Sequence, residues 1–147
     1  MKPQKIALIG NPNTGKTSVF NLLTGMNQQV GNFPGVTVDK KTGFLQLTAD
    51  HKCEVIDLPG TYSVFPRSGD EKVVFKVLTK KDEPDFPEVL LVVVDASNLE
   101  RNLLLFSQLY DLKIPLVMLL SMNDVAEKRG IEINVQALSA MFNGVPI

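Results

Sequence analysis

Apolar positions along this chain fall into two alternating kinds of run. Lys5-Ile6-Ala7-Leu8-Ile9, Val89 to Val94 and Leu116 to Leu120 are short and nearly continuous, as buried strands are. Thr17 to Thr24 carries apolar residues at helical spacing and is stopped by Gly25. Ser68-Gly69-Asp70-Glu71 reads as a capping box. It opens a helix from Asp70 to about Lys80, with Val73, Val74, Val77 and Leu78 on one face. Ser97-Asn98-Leu99-Glu100 has the same form and leads a helix carrying Leu103, Leu104, Phe106, Leu109 and Tyr110. Val135 to Phe142 reads as a last helix, with Asn134 as N-cap and Gly144 beyond its end. Val145-Pro146-Ile147 then begins another strand.

The stretch between the first helix and the capping box has a different pattern. Asn27 to Thr37 is polar and rich in Gly, Asn and Pro, and reads as a loop of about ten residues, long enough to suggest a function. Val38 to Thr48 and Lys52 to Ile56 read as a hairpin around the turn Ala49-Asp50-His51, with Gly43 a weak point in the first strand. Asp82 to Pro87 is an acidic, proline-bearing connection. Strands alternating with helices predict an α/β fold: a mostly parallel sheet with helices on both faces. Ligands of such sheets bind at strand carboxyl ends. Three stretches leave such ends: Gly10 to Thr17, Asp57 to Gly60, and Ser121 to Asp124. The order predicts that they meet around one ligand.

Gly10-Asn11-Pro12-Asn13-Thr14-Gly15-Lys16-Thr17 reads G-x-x-x-x-G-K-[ST], a phosphate-binding P-loop between a strand and a helix. Gly10 and Gly15 admit turns that a side chain would block. Successive N–H groups, running into Ser18 at the helix start, then face the phosphates. Lys16 supplies a point charge to the outer phosphates, and the Thr17 hydroxyl suits Mg²⁺. Asp57-Leu58-Pro59-Gly60 follows as the second P-loop element. Asp57 is assigned to Mg²⁺, through water, and the Gly60 N–H to the γ-phosphate. Thr37, with Gly35 and Val36 before it, lies in the intervening loop. Its hydroxyl completes the Mg²⁺ shell when the γ-phosphate is present, which makes the loop a switch. Asp124, in Ser121-Met122-Asn123-Asp124, is the candidate base reader. A carboxylate accepts from the guanine N1–H and 2-amino group; adenine offers neither. A helix N-cap aspartate has the same sequence form, and the two roles are compatible.

Composition narrows the classes. The 147 residues suffice for one domain, 44% hydrophobic and 21% charged, with net charge −1. No polybasic run points to nucleic acid or a membrane surface. Cys53 is the only cysteine, so no internal disulfide forms; in its strand-like run it reads as a small buried hydrophobe. His51, at a turn, reads as a surface residue rather than a ligand. No His/Cys/Glu cluster has the spacing of an Fe²⁺ site. No signal peptide precedes the first strand, and no apolar run is long enough to span a bilayer.

With these elements in order, the chain resembles a small Ras-like GTPase domain. More narrowly, it resembles the N-terminal G domain of the bacterial ferrous-iron transport protein B (FeoB) family. The resemblance rests on the P-loop, on Val30-Gly31-Asn32-Phe33-Pro34-Gly35-Val36-Thr37-Val38, on Asp57-Leu58-Pro59-Gly60-Thr61-Tyr62-Ser63, and on Met122 through Gly130. It covers nearly the whole chain, 1–147. It implies a GTP-hydrolysing switch domain on the cytoplasmic side of a ferrous-iron transporter in the bacterial inner membrane. The helical and membrane domains of the longer protein are its implied partners, with no nucleic acid. Thr61 stands where Ras-like proteins carry the water-orienting glutamine and is too short for that task. In the family, the asparagine matching Asn13 is associated with K⁺ beside the phosphates, which implies slow, K⁺-stimulated hydrolysis. The related tRNA-modifying and ribosome-assembly GTPases share the P-loop form. Their switch loop usually reads G-T-T-x-D, and Gly35-Val36-Thr37-Val38-Asp39 departs from it. A non-catalytic guanine-nucleotide sensor is the third reading, which Thr61 leaves open; a P-loop kinase lacks an acceptor site and a lid here. Two departures from the family pattern stand out. Ser121 replaces the first asparagine of N-x-x-D, and Asn123 lies two positions off. The last loop, strand and helix of a complete G domain also fall outside the chain, so a C-terminal truncation is expected.

Overall fold

The computed structural model describes residues 2–147. Six strands form one sheet: β1 (Gln4–Gly10), β2 (Gln28–Asn32), β3 (Asp39–Thr48), β4 (His51–Asp57), β5 (Val89–Asp95) and β6 (Leu116–Ser121). Their order is β2-β3-β4-β1-β5-β6. β1 pairs parallel with β4 and β5, and β5 with β6. β3 is antiparallel to both β2 and β4, so it alone runs against the other five. The mostly parallel sheet is as the sequence predicts.

The period of two in β1 builds both layers. Ala7 and Ile9 point to one face, where they meet Val92 and Val94 of β5 and Ile56 of β4. The helices α2 (Gly69–Thr79), α3 (Leu99–Asp111) and α5 (Val135–Met141) cover that face with Val74, Val77, Phe106, Leu109 and Leu138. Leu8 points the other way, with Val55 and Val93, onto Phe20 of α1 (Lys16–Thr24). A short α4 (Asn123–Lys128) follows β6. Helices on both faces bury most of the central strands, which is why β1 and β5 read as continuous apolar runs.

Four local expectations are corrected. Residues 28–32, within the predicted loop, form β2, an edge strand with every residue exposed. Its Gln and Asn side chains hide the strand pattern, and only the ladder with residues 39–43 of β3 reveals it. Gly43 is not a weak point. A Cβ there would sit 2.5 Å from Thr24 Cγ2, so β3 needs a glycine to let the end of α1 approach. The second capping box does not form. Asp95 instead accepts from the Ser97 N–H at 2.8 Å and the Ser97 hydroxyl at 2.6 Å, shaping a 3₁₀ turn over Ala96–Asn98 before α3. The first box does form: Ser68 accepts from the Glu71 N–H, while Glu71 reaches back to the N–H of Arg67 rather than of Ser68. Val145 to Ile147 makes no strand, although the Met118 N–H of β6 donates to the Pro146 carbonyl at 2.9 Å.

Cys53 is buried, and loss of solvent pushes its thiol up from the ordinary value, with Glu88 adding to the effect. His51 is exposed and its Nε2 lies 2.9 Å from Gln4 Oε1. Both match the sequence reading.

Candidate functional site

β1 and β4 are neighbours, so the two loops that leave their carboxyl ends lie side by side. The first folds tightly. Thr14 donates its hydroxyl to the Asn11 carbonyl at 2.9 Å, and Asn13 takes a left-handed conformation at φ 62°. Gly15 is the N-cap of α1 at φ 83°, which favours glycine over any side chain. Gly10 is needed for a different reason than the turn expected from sequence: a Cβ would lie 2.7 Å from the Val93 carbonyl. The start of α1 has no side-chain cap and no acidic residue in its first turn. The N–H groups of Lys16, Thr17 and Ser18 therefore end a helix with its positive pole uncompensated, the arrangement that suits an anion. Thr17 and Ser18 are exposed there.

A cleft of about 370 Å³ opens beside this loop. Lys16, Thr37, Asp57, Leu58 and Pro59, all chosen from sequence, line it. Lys16 Nζ donates to Asp57 Oδ1 across its floor, and both side chains are mostly buried. Asp39, Lys41 and Asp70 line it too, and sequence reasoning missed them. Lys41 has a register signal: it pairs with Asp57 across the β3–β4 ladder. Leu58 contributes backbone only. Its side chain is fully buried and its N–H donates to the Leu8 carbonyl at 3.0 Å. Gly60 packs on the P-loop, where a Cβ would come 3.2 Å from Pro12 Cα. Thr61 is buried; its N–H donates to the Gly10 carbonyl at 3.1 Å and its hydroxyl to the Ser63 carbonyl at 2.6 Å.

Not every chosen residue faces the cleft. Val36, with Phe33 and Pro34, lines a separate cavity of about 200 Å³ against α2. Gly35 is exposed in the same loop, at φ 77°. Asn11 is buried, and its Oδ1 has no hydrogen-bond partner.

The third loop reaches the first through Met122. It is the N-cap of α4, left-handed at φ 56°, and its Cε lies 3.6 Å from where a Gly15 Cβ would be. Asp124 is therefore not the N-cap; it sits in the first turn of α4, exposed. Ser121 donates its hydroxyl to the Val94 carbonyl at 3.3 Å, and Asn123 folds its amide onto the Leu120 carbonyl at 2.9 Å. Three loops spread over more than a hundred residues of chain thus adjoin at one end of the sheet.

This sheet order, with a P-loop leaving β1 and an Asp-x-x-Gly turn leaving β4, defines a Ras-like P-loop GTPase fold. The FeoB_N sequence family, described as ferrous iron transport protein B, matches residues 4–147. The Fe(2+) transporter FeoB of Escherichia coli K12 is 48% identical over 151 aligned residues, which cover all of this chain and 19% of that protein. Among solved structures, the cytosolic domain of the T. maritima FeoB iron transporter in a GDP form superposes with TM-score 0.89 at 38% identity, covering 99% of this chain and 55% of that one. An S. thermophilus NFeoB variant bound to mGDP gives 0.88 at 49% identity, covering 99% and 53%. The FeoB G domain of Methanococcus jannaschii gives 0.82 at 39% identity, covering 99% and 84%. The chain belongs to the ferrous iron transport protein B family. It spans about a fifth of the length of the curated relatives it matches. No helix among the described residues is long and apolar enough to cross a membrane.

Proposed function

We propose that this chain is a GTP-hydrolysing switch domain that serves a ferrous-iron uptake transporter from the cytoplasmic face of the membrane. The observation that carries this is the convergence of Lys16, Thr37 and Asp57 on one cleft beside an uncapped helix start. In this reading the P-loop amides and Lys16 hold the β- and γ-phosphates, Gly60 offers its N–H to the γ-phosphate, and Asp124 reads the guanine edge. The donors near Lys16 are hard oxygens: the hydroxyls of Thr17 and Thr37 and the carboxylate of Asp57. That set suits Mg²⁺. The ion neutralises charge on the phosphate oxygens when bound. Thr37 belongs to the loop that the triphosphate orders and hydrolysis releases.

Thr61 is too short and too occupied to orient water, since its hydroxyl bonds Ser63. Hydrolysis by this chain alone is therefore slow, and Asn13 is the candidate K⁺ ligand that raises it. Iron is cargo of the longer protein in this reading, not a ligand of this domain. The tRNA-modification and ribosome-assembly reading belongs to families other than the one the chain matches. The sensor reading differs from the leading one only in turnover.

Titration with fluorescent GTP and ATP analogues, followed by phosphate release in K⁺ and in Na⁺, tests the proposal. Guanine-selective binding with turnover faster in K⁺, and loss of that advantage in Asn13→Ala, is the expected result. Equal rates in the two salts sink the K⁺ role. Binding without any turnover favours the sensor.

A further inference from the structure

The segment that follows Asp57-Leu58-Pro59-Gly60 has no helix or strand before Gly69. Tyr62 and Phe65 are exposed, and Val64 is its one deeply buried apolar side chain between Tyr62 and Ser68. One side chain of α3 holds it. Gln108 Oε1 accepts from the Ser63 hydroxyl at 3.0 Å and from the Val64 N–H at 2.8 Å. Ser63 Oγ accepts in turn from the Phe65 N–H at 3.2 Å. The Ser63 carbonyl accepts from the Thr61 hydroxyl, and the Thr61 N–H donates to the Gly10 carbonyl. A continuous series of hydrogen bonds therefore runs from α3 through residues 61–65 to the first glycine of the P-loop. Gly60 adjoins its P-loop end, where a Cβ would press on Pro12 at 3.2 Å from its Cα. Two turns earlier on α3, the Arg101 guanidinium lies 4.3 Å from the centre of the Tyr62 ring.

We propose that Gln108 is a positioning residue for the terminal-phosphate contact of Gly60, and so sets how strongly the site prefers nucleoside triphosphate over diphosphate. This rests on the reading above that the Gly60 N–H meets the γ-phosphate. A backbone donor already held in place loses less conformational freedom when the phosphate arrives. Gln108 supplies that order with one oxygen and two bonds, from outside the cleft. Nucleoside diphosphate makes no contact with Gly60, so its affinity is indifferent to Gln108.

Two variants test this on the full 147-residue chain. Gln108→Leu keeps the volume and removes the acceptor. Gln108→Glu keeps an acceptor oxygen in the same place. Affinities for fluorescent GDP and for a non-hydrolysable GTP analogue are measured with thermal melting alongside. Gln108→Leu is expected to weaken the triphosphate by about tenfold while GDP stays within about twofold. Gln108→Glu is expected to restore the native ratio. An unchanged ratio in Gln108→Leu, or equal loss of both nucleotides, overturns the proposal, whatever the melting temperature does. If the unaltered chain fails to prefer guanine nucleotides over ATP, the reading underneath has failed, and this inference falls with it.

Discussion

Asp124 carries its carboxylate exposed in the first turn of α4, with Met122 rather than itself at the N-cap. That leaves both of its oxygens for a base. In the proposed reading, guanine fills them with N1–H and the 2-amino group. Xanthine has a carbonyl in place of that amine and would face the carboxylate with an acceptor. Asp124→Asn reverses this match, because the amide can donate to the carbonyl. Its affinity for GTP is expected to fall about a hundredfold while that for XTP rises, with ATP unchanged. Competition titrations check it; an unchanged GTP affinity would remove Asp124 from base recognition. Ser121 spends its hydroxyl hydrogen on the Val94 carbonyl.

At the scale of elements, the junction from β5 to α3 shows what short-range pattern reading can mistake. Ser97 and Glu100 have capping-box spacing, yet the turn is built by Asp95 and Asn102. The Asp95 N–H donates to Asn102 Oδ1 at 3.2 Å, and Asn102 Nδ2 donates to the Asn98 carbonyl at 2.8 Å. Asn102 is 4% exposed. Removing its amide leaves the Asp95 N–H and the Asn98 carbonyl without these partners at a part-buried junction. Asn102→Ala is therefore expected to lower stability by about 2–3 kcal/mol, and Ser97→Ala by under about 1 kcal/mol. Denaturant unfolding of the two variants decides between the turn seen here and the capping box. The first box, at Ser68, is legible because its partner lies three residues away. Asn102 is seven residues from Asp95, beyond the reach of any local pattern.

Across the whole molecule, the acidic connection before β5 does more than link two elements. Asp85 is 2% exposed, and its Oδ1 lies 2.5 Å from Lys40 Nζ of β3 and 3.7 Å from Lys5 Nζ of β1. Lys5 also donates to the Pro84 carbonyl and lies 3.9 Å from Glu54 Oε2. One carboxylate thus ties the strand that carries the switch loop to the strand that carries the P-loop. Asp85→Ala is expected to cost about 1–3 kcal/mol, less than a fully buried pair because both lysines keep some solvent. Thermal melting measures it; a loss within about 0.5 kcal/mol would make the pair a surface ornament.

Much of this architecture was already present in local pattern. The α/β class, the three loops at strand carboxyl ends and the P-loop follow from runs of apolar residues and from motifs whose parts lie within eight positions. Side-chain periodicity and turn chemistry act over that range, so the linear order suffices to read them. What the linear order left open depends on contacts between distant segments. β2 exists because β3 offers it a ladder. Gly43 is required because Thr24 approaches it. Leu58, chosen as a site residue, serves the core with its side chain. Gln108 reaches the switch segment from 45 residues away. Each of these is decided by which surfaces the folded sheet and helices bring within hydrogen-bonding or van der Waals distance. That proximity is a property of the packed chain, and no stretch of sequence contains it alone.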